Sequence, residues 1–308
     1  MKRNRMMTAV LAAAVLAGSM IGGASAFADT PRIVSSNMPI KLLFDARQLT
    51  TDVAPVNEDG TILVPIRFVS DKLGGKLTLT GKLINIVKGS NTLNLTIGAS
   101  TATVNGKTIT LSVPVRAVSG RTMVPLRVVS EGLGVAVKWD VINKFVWIGS
   151  QDVPKIHDFK KPGDIKPFLP YFKGAPEYLL NGGYGRYTNA TEIEINDFPF
   201  RDGVNTFYRM DLAYDQDNNV YLQTIENTPA VMNGDFYFLS RNSSPIGSLA
   251  LTYLRQIPTK GIHIYYNNTS KLGGKMSDLS KVDYIDFCNT INLGNGNSTQ
   301  IFIKNPWR

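Results

Sequence analysis

The chain has 308 residues and a formal net charge of +9, with one cysteine and two histidines. A single cysteine excludes an internal disulfide, and two imidazoles cannot supply a three-histidine metal centre. The basic residues are scattered and form no Lys/Arg run, which excludes a nucleic-acid-binding stripe and leaves at most a weak affinity for extracellular polyanions.

The first element is a targeting segment. Lys2, Arg3 and Arg5 form a basic n-region, Met6 to Ile21 is apolar and alanine-rich, and Ala26-Phe27-Ala28 fits an A-x-A cleavage site. Ala24-Ser25-Ala26 is the second choice. Residues 1–28 are therefore read as a secretory signal peptide, broken by Gly18, Ser19, Gly22 and Gly23 in a way that favours cleavage over anchoring. The chain beyond it keeps about +6 of the charge. No cysteine near the cleavage site suits lipoprotein anchoring, and no Leu-Pro-x-Thr-Gly sorting signal is found. No later run is long enough to span a bilayer as a helix. The expected location is secreted, extracellular or cell-wall associated.

Residues 29–150 are organised by a repeat at an offset of sixty. Gly60, Val64, Pro65, Arg67, Val69, Ser70, Leu73, Gly74, Gly89 and Ser90 each recur at that offset, through Val124-Pro125-Leu126-Arg127 to Leu133-Gly134 and Gly149-Ser150. Such self-similarity implies two copies of one structural unit. Pro65 and Pro125 suit the first turn of a helix. Apolar residues at 66, 69 and 73, and at 126, 129 and 133, make one helical stripe, and Gly74 and Gly134 stand where a left-handed cap is wanted. Arg67 and Arg127 oppose the helix dipole and have Asp71 and Glu131 four residues on. They are read as structural. The period then falls to two, at Leu77/Leu79 and Ile84/Ile86, and again at Val137/Trp139 and Val146/Ile148. Asn105-Gly106 between Thr101–Val104 and Lys107–Leu111 signals a hairpin with a type I′ turn, whereas Asp45-Ala46 lacks the glycine. The unit is strand–strand–helix–strand–strand, used twice.

On the Asn105-Gly106-Lys107 turn, the two Val-Pro-(Ile/Leu)-Arg…Gly helices and Trp139-Asp140, residues from about 40 to 150 resemble the copper amine oxidase N-terminal-like domain, or stalk domain, of secreted bacterial proteins of Gram-positive type. Thr80-Gly81 replaces Trp-Asp in the first copy, which is the more diverged. The resemblance implies an antiparallel sheet wrapped on helices, serving as a stalk or attachment module outside the cell. It does not imply oxidase activity. That chemistry needs a histidine-rich copper site and a tyrosine-derived quinone, and this chain has only His157 and His263 and no Asn-Tyr-Asp or Asn-Tyr-Glu.

Residues 151–176 carry Pro154, Pro162, Pro167, Pro170 and Pro176 and read as a semi-extended linker, with Phe159, Phe168, Tyr171 and Phe172 suited to lying against a neighbour. Residues 177–308 alternate throughout. Strands are expected at Glu192–Ile195, Tyr208–Tyr214, Val220–Ile225, Phe236–Leu239, Leu249–Leu254, Ile262–Tyr266, Val282–Phe287 and Ile301–Ile303. The fold class is thus α+β followed by all-β: a duplicated stalk module, then an antiparallel β-sandwich of jelly-roll type.

Several patterns bear on chemistry. Asp215, Asp217 and Asn219, with Glu226 eleven residues after Asp215, are spaced like the oxygen ligands of a calcium loop. Val220 stands where the sharp turn wants glycine and the flanks are strands, so a plain hairpin is the competing reading. Gly182-Gly183-Tyr184-Gly185-Arg186 lacks the strand-before, helix-after context of a phosphate loop. Cys288 lies in a strand pattern as a small hydrophobe. Glu177, Glu192, Glu194, Asp197, Asp202 and Glu226 supply carboxylates for glycoside hydrolysis, but no motif selects a pair. Tyr208, Tyr221, Tyr237, Tyr253 and Tyr265-Tyr266 could stack on sugar rings. The expectation is a monomeric, non-enzymatic surface protein, with no catalytic residue and no cofactor beyond the calcium candidates. Its stalk presents a β-rich half to a cell-wall polymer, glycan or surface protein. The alternative is an extracellular polysaccharide hydrolase.

Overall fold

A computed structural model describes residues 32–182, 185–227, 236–257, 261–268, 279–292 and 298–308. The expected signal peptide and the side chain of Cys288 lie outside the described residues. The chain begins with β1 (Ile33–Asn37), β2 (Lys41–Phe44), β3 (Arg47–Leu49), β4 (Val56–Glu58) and β5 (Thr61–Pro65). Then come α1 (Ile66–Lys72), β6 (Lys76–Thr80), β7 (Leu83–Lys88) and β8 (Asn91–Thr96). The order recurs as β9 (Thr101–Val104), β10 (Lys107–Thr110), β11 (Arg116–Val118), β12 (Arg121–Pro125), α2 (Leu126–Gly132), β13 (Val137–Asp140) and β14 (Phe145–Ile148).

Both helices form where their sequence calls for them. Pro65 and Pro125 close the preceding strands and occupy the N-cap, one position before the expected first turn. At the other end the chain turns left-handed at Gly74 and Gly134, each at φ +74°. The Gly75 amide donates to the Ser70 carbonyl at 2.8 Å and the Gly74 amide to Asp71 at 3.1 Å, and Val135 and Gly134 repeat the arrangement. This is a Schellman cap, and a side chain at the left-handed position would strain it.

Each helix is preceded by four strands where two were expected. The additional hairpin, β4–β5 or β11–β12, turns at Asp59-Gly60 or Ser119-Gly120, with positive φ at all four residues. β5 and β12 then pair with each other, so that Val64 faces Val124 while Pro65 faces Met123 and Pro125 faces Leu63. Residues sixty apart therefore meet at the centre of one four-stranded sheet. The early hairpin β2–β3 joins β13–β14, with β2 and β14 parallel, and the hairpin β9–β10 joins β8, β7 and β6. Val69, Leu73, Ile84, Ile86, Val129 and Leu133 meet in one core, all at 4% exposure or less. Each such side chain contributes about 1.5–3 kcal/mol through its burial.

After β14 the chain forms α3 (Ile156–Phe159), β15 (Gly163–Asp164) and the 3-10 turns Lys166–Phe172 and Glu177–Leu180. It continues through β16 (Asn181–Gly182), β17 (Gly185–Arg186), β18 (Asn189–Ile193), β19 (Phe200–Asp202), β20 (Asn205–Asp215) and β21 (Val220–Asn227). The last strands are β22 (Phe236–Leu239), β23 (Ile246–Gly247), β24 (Leu249–Ile257), β25 (Ile262–Asn268), β26 (Tyr284–Asn292) and β27 (Ser298–Lys304). Phe168, Tyr171 and Phe172 of the proline-rich segment pack against Phe302 and Leu239.

Two six-stranded sheets share the main core of this half. One has the order β1-β20-β21-β25-β24 with β19 on β20, and the other β15-β18-β27-β26-β22-β23. Phe200, Phe207, Met210 and Leu222 from the first sheet meet Phe236, Phe287 and Ile301 from the second. The second sheet is mixed, not purely antiparallel, because β18 and β27 run parallel. β18 also ends at Ile193, short of the expected Ile195. The Asp197 carboxylate accepts the Glu194 amide at 2.8 Å and draws the chain into a 3-10 turn.

β1 is drawn into the first of these sheets, pairing antiparallel with β20. A bulge between Phe207 and Arg209 lets both Phe207 and Met210 face the shared core. It turns Arg209 and Asp211 to the opposite face, where Pro39 and Asn143 of the repeat region cover them.

Candidate functional site

The expected site residues fall into three groups. Arg67 and Arg127 are exposed, and Arg127 lies 3.6 Å from Glu131 in a weak surface pair. Arg67 lines an open groove of about 380 Å³ with Phe68 and Leu77, which the ion-paired Arg121 and Asp52 also line. Pro65, Leu73, Gly74, Pro125, Leu133 and Gly134 build the helices and their caps, as described above.

The calcium candidates do not converge. Asp215 heads a hairpin turn, where its carboxylate accepts the Asp217 and Asn219 amides at 2.9 and 2.8 Å, the Asn219 side-chain amide at 2.9 Å and the Tyr221 hydroxyl at 3.0 Å. Burial pushes its pKa up, but these four bonds outweigh it and hold the group below the ordinary carboxylate range. Glu226 lies at the far end of β21, about 20 Å of extended strand away from the turn. Asp215→Ala should cost about 1–3 kcal/mol because it orphans these donors. If the turn alone accounts for Asp215, chelator should leave the wild-type melting temperature unchanged in a scanning-fluorimetry pair.

The carboxylates sort by environment. Glu177 pairs with Arg186, Glu194 with Lys304, Asp197 with Arg47 and Lys160, and Glu192 accepts the Tyr284 hydroxyl. Asp202 and Glu226 differ. Both lie on the inner face of the first sheet, since Asp202 shares its side of β19 with Phe200, and Phe200, Phe207 and Glu226 form one cross-strand row. They are 4% and 2% exposed, and burial raises each pKa to about 7, with a Thr224 hydrogen bond partly opposing this at Glu226. His263 stands opposite Glu226 in the register and is itself buried, with its Nδ1 3.4 Å from the Tyr265 hydroxyl. His157 lies on α3, in the proline-rich segment.

The tyrosines form no exposed strip among the described residues. Tyr221 and Tyr265 are buried, Tyr208, Tyr237 and Tyr266 are half-buried, and the Tyr253 side chain lies outside the described residues. Gly183 and Tyr184 also lie outside them, and the flanking β16 and β17 form a two-stranded ribbon.

Sequence reasoning missed the residues where the repeat region meets the β-rich half. Arg209 is fully buried. Its Nη2 donates to Asp211 Oδ1 at 2.8 Å, its Nε donates to Asp211 Oδ2, its Nη1 donates to the Asn143 and Pro39 carbonyls, and its guanidinium lies 5.3 Å from the Phe145 ring centroid. Beside this pair a cleft of about 330 Å³ opens between β2, β3, the 3-10 turn at Ile195–Asp197, β20 and the C-terminal segment. Lys41, Gln48, Thr50, Asn196, Asp211 and Trp307 line it. Gln48 Nε2 donates to Asn196 Oδ1 at 2.9 Å, so an amide pair bridges the two halves. Trp307 is half-buried and packs against the core of the β-rich half, its backbone amide donating to Asn305 Oδ1 at 3.0 Å. One aromatic wall with hydroxyl and amide groups around it can hold the apolar face of a sugar and bond its edge.

The repeat region consists of short hairpins on two capped helices, with most of its buried apolar side chains in one core and smaller clusters around Phe145 and Met123. Residues 43–148 match the family model for the copper amine oxidase N-terminal domain, so the chain carries this domain over about a third of its length. Comparisons with curated proteins and with solved structures returned no match. No helix among the described residues is long and apolar enough to cross a membrane.

Proposed function

We propose that the chain is a secreted, surface- or wall-associated protein, monomeric and without enzymatic activity, that binds an extracellular glycan in the cleft between its two halves. The stalk is a duplicated strand-and-helix module, a reading supported by the sixty-residue repeat and by the facing of Val64 with Val124. It carries a sandwich of jelly-roll type. The observation that carries the function is the cleft, which is lined by Trp307 together with the polar residues Gln48, Thr50 and Asn196. Gln48 on β3 is tied to Asn196 on the 3-10 turn, and the Trp307 amide is tied to Asn305, which lowers the ordering cost of binding.

The test is a glycan panel and purified cell wall, titrated against wild type and Trp307→Ala. Loss of the indole should weaken binding about tenfold, with the melting temperature monitored in parallel. Undiminished binding by a folded Trp307→Ala protein would refute the cleft.

A second reading, polysaccharide hydrolysis, has one observation in its favour: Asp202 and Glu226 share a buried face and titrate far above ordinary carboxylates. It requires reducing-sugar release that Glu226→Gln abolishes.

A further inference from the structure

We infer that the ligand of the junction cleft is anionic, a pyranose bearing a carboxylate, with the charge held by the Lys41 ammonium and the ring set against Trp307. This rests on reading the cleft as a glycan site. Lys41 lies on β2 with 9% of its surface exposed and lines the cleft. Among the described residues its Nζ has no hydrogen bond and no ion pair, and its electrostatic neighbours are Asp211 and Arg209. Both Asp211 oxygens are already taken by the Arg209 guanidinium. The cluster therefore sums to one unmatched positive charge, displayed by Lys41 at the cleft wall.

A cation this deeply covered is costly unless a counter-charge meets it. Burial pulls the Lys41 pKa down to about 8, partly countered by Asp211 and reinforced by Arg209, so at neutral pH the group is still mostly an ammonium. The one carboxylate of the ring set in the cleft matches the single charge, whereas a dianionic phosphate monoester at that position would leave one negative charge uncompensated. The indole calls for a ring face, which a linear polyol phosphate does not offer.

The full chain is titrated calorimetrically with tri-galacturonate and with the neutral tri-galactoside of the same linkage, using wild type, Lys41→Met and Lys41→Gln. Wild type should bind the carboxylated trimer about tenfold more tightly, as expected of one charge-assisted contact. Either folded Lys41 variant should lose that preference and keep the neutral affinity. Equal wild-type affinity for the two trimers overturns the anionic inference, as does an unchanged preference in a variant, while Trp307-dependent neutral binding leaves the glycan reading standing. Binding of neither trimer overturns the inference, and silence across the whole glycan panel overturns the underlying reading as well.

Discussion

Lowering the pH from about 7.5 to about 5 should stabilise this protein, the reverse of ordinary acid sensitivity. Asp202 and Glu226 are buried on the inner face of the first sheet, and burial raises both pKa values to about 7. In the unfolded chain such groups titrate near 4. Between these limits the folded protein binds more protons than the unfolded chain, so stability is lost as pH rises from about 4 through about 7. At roughly 1.4 kcal/mol per pKa unit, each carboxylate destabilises the protein by a few kcal/mol above neutrality. Asp286, fully buried beneath the 3-10 turns and held by Gln300 at 2.6 Å, is also pushed well up by burial and adds in the same direction. Urea unfolding across this pH range should show the midpoint rising as pH falls, with Asp202→Asn and Glu226→Gln each flattening the slope. A midpoint that falls on acidification, with no change in slope in the variants, would show that these carboxylates are solvated.

Replacing Arg209 with Met should be the most damaging single change at the junction. Its guanidinium neutralises Asp211 and donates to the Pro39 and Asn143 carbonyls, joining β20 to the repeat region. Removing one partner of a buried pair leaves the other charge unmatched and costs about 3–5 kcal/mol. Replacing both, as Arg209→Met with Asp211→Leu, should recover much of that loss, because a buried ion pair gains little over a well-packed apolar one. Guanidinium denaturation of the single and double variants gives the comparison. A loss below about 1 kcal/mol in the single variant would mean that water reaches the pair.

The helices and their caps were legible because their signals are local: Pro65, the apolar stripe through Val69 and Leu73, and Gly74 lie within one short window. Asp59-Gly60 carried the same hairpin chemistry as Asn105-Gly106, but β4 has only three residues, too few for alternation to register. The candidate site was harder to read. Arg209 and Asp211 alternate with Met210 and Leu212, and this pattern fits a solvent-facing side. Period two cannot distinguish a face covered by water from one covered by another part of the chain. Trp307 sits in Lys304-Asn305-Pro306-Trp307, where no periodicity points to it, and it lines one cleft with Gln48 although most of the chain separates the two. The same holds for Asp202 and Glu226, which only the sheet register distinguishes from the solvated carboxylates.

The most direct test of the central claim is hydrogen exchange of the full chain with and without a saturating glycan drawn from the panel. The cleft reading predicts slowed exchange confined to residues 48–51, 195–197 and 305–308, the backbone around Gln48, Asn196 and Trp307. Protection centred on Glu226 and His263 in β21 and β25, with the cleft segments unchanged, would contradict it and move the site to the inner face of the sheet.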